Sequence, residues 1–264
     1  MLLAAVPLGV AIGVAVGMLG GGGSVLAVPV LVYILGEDVE SATTISLVVV
    51  TAAAIAGGFG HALEGRICWR HAAAFTVAAL PGIVAGTALG NVVSGAMLVS
   101  AFAVVMLAAA AATWRSASAK RPVEDDAQPG HTCPALRLGR DLGAGLLVGF
   151  LAGFFGVGGG FVIVPTLAVA LSFSMRSAIG TSLAIITTTS VLGVVVHLAA
   201  GRSLDTDLTL ALGAACVVGA LAGARLASRV PQRTLGRAFA GLVVVVAAYL
   251  LVTAAFLGGP PSSS

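Results

Sequence analysis

The sequence predicts an all-α polytopic membrane protein built from two inverted repeats, about eight transmembrane segments in all, with a glycine-broken hairpin opening each repeat. Three observations lead there. The composition is too apolar for water, the chain is duplicated at one fixed register, and the basic residues gather on one side only if each repeat opens with a hairpin.

Of 264 residues, 59% are hydrophobic and 9% are charged, and the mean hydropathy is +1.12. A soluble domain carries about a quarter charged residues. Thirteen Lys and Arg with ten Asp and Glu cannot clothe a water-exposed surface of this size. Thirty-six Gly, ten Pro and three Cys fit no collagen repeat and no disulfide scaffold. The solvent is lipid. Cys68, Cys133 and Cys216 lie far apart without CxxC spacing, so they read as free thiols, small apolar filler in or near helices.

Uncharged stretches run roughly over 2–36, 41–63, 71–114, 142–175, 177–201, 208–224 and 238–264. A membrane helix needs about 20 apolar residues, so 71–114 holds two, divided near Gly90-Asn91. The N-terminus superficially resembles a signal peptide. It lacks a basic leader and runs into a motif that recurs later, so it reads as mature structure. Residues 115–140 are charged and Pro-containing and read as an exposed linker between a first repeat, 1–114, and a second, 141–264.

A shift of 136 places Gly17 on Gly153, Pro29 on Pro165, Ser46 on Ser182, His61 on His197, Gly65 on Gly201 and Arg66 on Arg202. Residues 17–66 and 153–202 share 17 identities in 50 positions. Apolar bias alone would not align His, Arg and Pro at one register. The first apolar run of each repeat is interrupted by Gly20-Gly21-Gly22-Gly23 or by Gly156-Val157-Gly158-Gly159-Gly160. Read as one bent crossing, it splits Lys and Arg 8 against 5. Read as a hairpin, it leaves only Arg202 opposite the other twelve. The positive-inside bias selects the hairpin, hence inverted repeats with the linker in the cytoplasm and both termini outside.

Glycine costs about 1 kcal/mol against alanine within a helix, so four in succession break it. Irregular backbone at membrane depth survives only inside protein or beside a water-filled cavity. The half-helix beyond each break aims free amides and a positive dipole end at that point, which suits an anion. Close helix packing through small residues is the bland alternative. The candidate substrate-binding set is therefore Gly21, Gly22, Gly23 and Ser24 with Gly158, Gly159 and Gly160, joined by the hydroxyls of Ser46, Thr181 and Ser182. Such hydroxyls can equally bond to their own helix. His61 and His197 end the helices that follow, each with Gly and Arg behind it. They could pass a proton or cap the helix end, and Arg66 and Arg202 could gather anions at two vestibules.

The chemistry of an enzyme is missing. There is no HExxH, His61-x-x-Glu64 lacks further metal ligands, and Gly153-x-x-Gly156-x-Gly158 has no βαβ unit around it. No P-loop is present, and neither a cofactor nor a metal is expected. Arg225, Arg229, Arg233 and Arg237 recur at helical spacing and suit anionic lipid rather than nucleic acid. The expected partners are the bilayer and a small anion, and the chain could associate with copies of itself.

GMLGGGGSVLAVPVL (17–31) and GFFGVGGGFVIVPTL (153–167), each followed by a Ser-Leu segment and His-x3-Gly-Arg, resemble the sulfite exporter TauE/SafE family over essentially the whole chain. The resemblance implies an inner-membrane permease for sulfite, sulfonates or other small sulfur-containing or organic anions, working by alternating access. Repeat two keeps Gly180-Thr181-Ser182-Leu183, whereas repeat one departs with Thr44-Ile45-Ser46-Leu47. A non-transporting membrane scaffold and an anion channel are the rival readings.

Overall fold

The computed structural model describes residues 2–37, 39–90, 92–93, 95–118, 133–155, 160–199 and 205–257. Every regular element among them is helical. The chain opens with α1 (Leu2–Leu19), a 3-10 segment (Gly20–Leu26), the single turn α2 (Ala27–Pro29) and a π-helical turn (Val30–Ile34). It continues through α3 (Val39–Leu63), α4 (Trp69–Gly90) and α5 (Gly95–Ser118). Beyond the linker come α6 (Leu138–Phe155), α7 (Gly160–Pro165) and a second π turn (Thr166–Ala170). The chain then runs through α8 (Met175–Ala199), α9 (Thr206–Arg229) and α10 (Gln232–Leu257). The expected division near Gly90-Asn91 holds, and α5 and α6 reach into both ends of 115–140.

Six stretches among the described residues are long and apolar enough to cross a membrane: Ala5–Val32, Ser41–Leu63, Trp69–Gly90, Leu138–Phe155, Met175–Val195 and Thr206–Arg229. The surface is built for lipid. Val77, Val84, Val104, Val218 and Val245 face outward, whereas Thr44, Thr181 and Ser182 are buried. Lipid offers no hydrophobic drive between helices, so close van der Waals packing has to hold them together. Small-residue stripes supply it. Gly9, Gly13 and Gly17 on α1 lie against Leu212, Cys216 and Ala220 on α9. The equivalent Gly145, Gly149 and Gly153 on α6 lie against Phe75, Ala79 and Ile83 on α4. In both pairs the numbers rise together, so the helices run side by side in the same direction.

Gly57 and Gly60 of α3 meet Ala220 and Ala224, so α3 also runs with α9. The chain therefore reverses between α1 and α3, and the reversal lies at the glycines. Gly20 has φ +67°, a left-handed conformation that side chains resist, and Gly23 lies against the backbone of Ala15 and Val16. In a straight helix seven residues advance about 10 Å, so this contact requires a fold-back. Against α8, α3 runs in the opposite sense, with Leu47 beside Gly193 and Leu183 beside Gly57. α5 and α10 are likewise antiparallel, with Ala117 beside Gly236 and the Arg237 guanidinium 5.6 Å from the Trp114 ring centre.

The repeat register recurs in backbone detail. Pro29 and Pro165 lack an N–H, and a π turn follows each, closed by Leu35 N–H to Val30 O and Leu171 N–H to Thr166 O, both 3.1 Å. Gly36 (φ +74°) and Ser172 (φ +60°) then occupy the same left-handed position 136 residues apart.

The expectation of three free thiols is corrected. Cys68, just before α4, forms a disulfide with Cys133 at the end of the linker, and only Cys216 is a free cysteine among the described residues. Spacing misled because a disulfide needs proximity in space, and 65 residues of helix and linker separate the pair. Beside it, His71 of α4 meets Asp141 of α6 in a buried ion pair. The other ring nitrogen, Nε2, lies 2.9 Å from Pro134 O, and Asp141 Oδ2 accepts from Arg137 N–H at 3.2 Å. These bonds fasten residues 133–141 to the start of α4.

Candidate functional site

The first break meets the start of α7. Gly21 packs directly on the backbone of Gly160, and Ser24 Oγ fills the space a side chain at Gly160 would take. Gly17, just before the break, sits beside Ala220, well inside the 24-residue α9, so the meeting point lies deep in the bundle. Each neighbouring glycine is equally occupied: Gly20 by Ser182 Oγ, Gly22 by the buried Phe239 ring, and Gly23 by α1. All four glycines are buried. Only residues without side chains let the irregular segment at Gly21 and the start of α7 at Gly160 approach this closely, so the small-residue packing weighed from the sequence operates here at the Cα positions.

The hydroxyls are committed locally. Ser24 Oγ donates to Gly21 O (2.7 Å), Ser46 Oγ to Thr43 O (2.9 Å) and Ser182 Oγ to Ile179 O (2.8 Å). Their lone pairs remain as acceptors, and a hydroxyl rotation would free each proton for an anion. Thr181 Oγ1 instead accepts from Cys68 N–H at 3.1 Å, tying α8 to the disulfide.

His61 and Arg66 stand between this meeting point and the linker side. Gly65 has φ +67°, with Gly65 N–H bonded to Ala62 O and Arg66 N–H to His61 O, both 3.0 Å. This is a Schellman stop, so the helix end is capped by backbone and not by the imidazole. The imidazole is buried and points inward, Nε2 lying 3.4 Å from Gly17 O and Nδ1 having no hydrogen-bond partner. Arg66 is buried against α8 and pairs with Glu64. Burial lowers its pKa, Glu64 opposes the shift and Arg176 adds to it.

The structure thus brings together Gly21, Gly22, Gly23, Ser24, Gly160 and Ser182, with His61 touching the same region and Arg66 and Thr181 nearer the linker. Ser46 is buried on α3. Gly158, Gly159 and Arg202, and the side chain of His197 near the end of α8, lie outside the described residues. Phe239, Arg176 and the His71–Asp141 pair were missed as site neighbours. Arg176 had a signal in sequence as a cation four residues before Gly180. Phe239 and the ion pair had none, because their partners are distant in the chain.

Known proteins resemble this chain in sequence. The family model described as Sulfite exporter TauE/SafE matches residues 5–250. A probable membrane transporter protein of Xylella fastidiosa (strain 9a5c) is 32% identical over 247 residues, 91% of each chain. One of Methanocaldococcus jannaschii is 30% identical over 206 residues, covering 74% of this chain and 73% of its own. One of Bacillus subtilis is 23% identical over 268 residues, covering 95% and 97%. No solved structure matches significantly. A duplicated, glycine-broken helical chain that buries its hydroxyls and exposes its valines, matched along nearly its full length, belongs to the sulfite exporter TauE/SafE family of membrane transporters.

Proposed function

We propose that this protein is a secondary carrier of a small anion, sulfite, a sulfonate or a similar organosulfur or organic anion, working by alternating access. The observation that carries the reading is the packing of Gly21, in the first break, on Gly160, at the start of α7, deep in the bundle. Half-helix ends converging at that depth suit a substrate without a buried counter-charge. The backbone N–H groups of 21–24 and 157–160 are the principal donors, with Ser46, Thr181 and Ser182 beside them. His61 with Arg66, and His197 with Arg202, serve the two vestibules. Lifting one hairpin off the other would open these amides to one side at a time.

The proposed frame is two inverted repeats, 1–114 and 141–264, of four segments each, with linker 115–140 in the cytoplasm. Two findings support it. α1 runs with α9 while α6 runs with α4, and α3 opposes α8, a reciprocity expected when one repeat is turned over against the other. Twelve of thirteen basic residues then share the linker side.

Reconstituted protein should take up at least one of a panel of labelled anions, with saturation and counterflow. A scaffold would move none, and a channel would show no counterflow. Absence of flux under every imposed gradient refutes the carrier.

A further inference from the structure

The Cys68–Cys133 disulfide fastens the end of the linker to the start of α4, and its two sulfurs stand in different surroundings. Cys133 is exposed, whereas Cys68 is only 4% exposed. Cys68 also stands at the N-terminus of α4, its carbonyl accepting from Ala72 N–H at 3.0 Å. In an exchange reaction the accessible sulfur is attacked, and the partner that better carries negative charge departs. Free amides and the positive dipole end at a helix N-terminus favour a thiolate. The bond is therefore directional: attack falls on Cys133 and departure on Cys68.

Sulfite carries a lone pair on its sulfur, which sulfate and sulfonates lack. That lone pair attacks a disulfide as a thiolate does. A new bond joins the sulfite sulfur to Cys133 Sγ, the bond between the cysteines breaks, and its electron pair leaves on Cys68 as a thiolate. Cys133 becomes an S-sulfonate, and no separate oxidant or reductant enters. Arg70, two residues after Cys68, and Arg137, four after Cys133, are exposed and favour the approach of a dianion.

The reverse step is equally provided for. Residues 133–141 keep a second fastening to α4, through His71 Nε2 with Pro134 O and through Asp141 with Arg137 N–H. Held this close, the Cys68 thiolate can attack Cys133 Sγ and expel sulfite. The event also touches the candidate site, because Cys68 N–H donates to Thr181 Oγ1 of α8, next to Ser182 at the glycine break.

We propose that the Cys68–Cys133 disulfide is a reversible sulfite-reactive site, at which sulfite on the linker side bonds to Cys133 and releases Cys68. The site rests on the carrier reading for the choice of anion, but not for the chemistry.

The test treats the full chain, purified without reductant into lipid nanodiscs, with sodium sulfite at neutral pH. Acid quenching, alkylation in denaturant and peptide mass mapping follow. Cys133 should gain one sulfonate group and Cys68 one alkyl group, with neither change after sulfate or methanesulfonate. Washing out sulfite before the quench should restore the disulfide, and Cys133→Ser should gain no sulfonate. An intact disulfide without adduct, a sulfonate on Cys68 instead of Cys133, or an adduct that survives washing overturns the site. So does a sulfonate on Cys133→Ser, or a wild-type chain purified with both cysteines as thiols. The adduct without flux of any anion overturns the carrier and keeps this site, whereas sulfite flux without the adduct does the reverse.

Discussion

His61 turns its Nε2 toward the carbonyl oxygen of Gly17 at 3.4 Å, joining the last turn of α3 to the last turn of α1 beside the break. A carbonyl only accepts, so the bond needs the proton on Nε2. Nδ1, buried and unpartnered, faces no protein group that would hold it.

His61→Ala leaves the buried Gly17 carbonyl unpaired and opens space between the helices. The expected cost is about 1–3 kcal/mol, read as a lower melting temperature in detergent. Flux should fall with it. Unchanged stability would mean that the contact contributes nothing.

Gly22→Val drives a branched side chain into the Phe239 ring, which is itself fully buried. Transport should be abolished while much of the protein still inserts, and Phe239→Ala should partly restore a milder Gly22→Ala. Wild-type kinetics in well-folded Gly22→Val would reduce the break to simple packing.

Ser46→Ala and Ser182→Ala remove hydroxyls that now bond to their own helices. Each should weaken anion affinity by about 0.5–1.5 kcal/mol, one ordinary hydrogen bond, seen as a modest rise in KM with Vmax retained. A larger effect on stability than on KM would assign the hydroxyls to helix packing alone.

The inverted frame predicts that single cysteines at 120–130 are labelled from the cytoplasm and one at position 262 from outside. Labelling of both from one side would refute it.

The Cys68–Cys133 bond predicts one reactive thiol, Cys216, in protein denatured without reductant, and three after reduction. Mass tagging of acid-trapped cells reads this directly. The linker side, if cytoplasmic, is a reducing place. Three thiols before reduction would show that the bond does not persist in the cell.

The sequence by itself determined what depends on local backbone chemistry. Consecutive glycines cannot continue an α-helix, and α1 ends at Leu19, just before Gly20; a Gly after His61 stops α3; and the shift of 136 recurs in the π turns after Pro29 and Pro165 and in the left-handed residues Gly36 and Ser172 behind them. Membrane residence was equally legible, because uncharged runs long enough to span lipid are a matter of composition. Tertiary structure alone decided the rest. Whether Gly20–Gly23 fills with water or with Phe239, Val16 and Gly160 depends on which helices close around it. Cys68 and Cys133, like His71 and Asp141, meet only because α4 and α6 run side by side. Hydropathy and spacing record how each segment meets lipid, not which distant segment it meets.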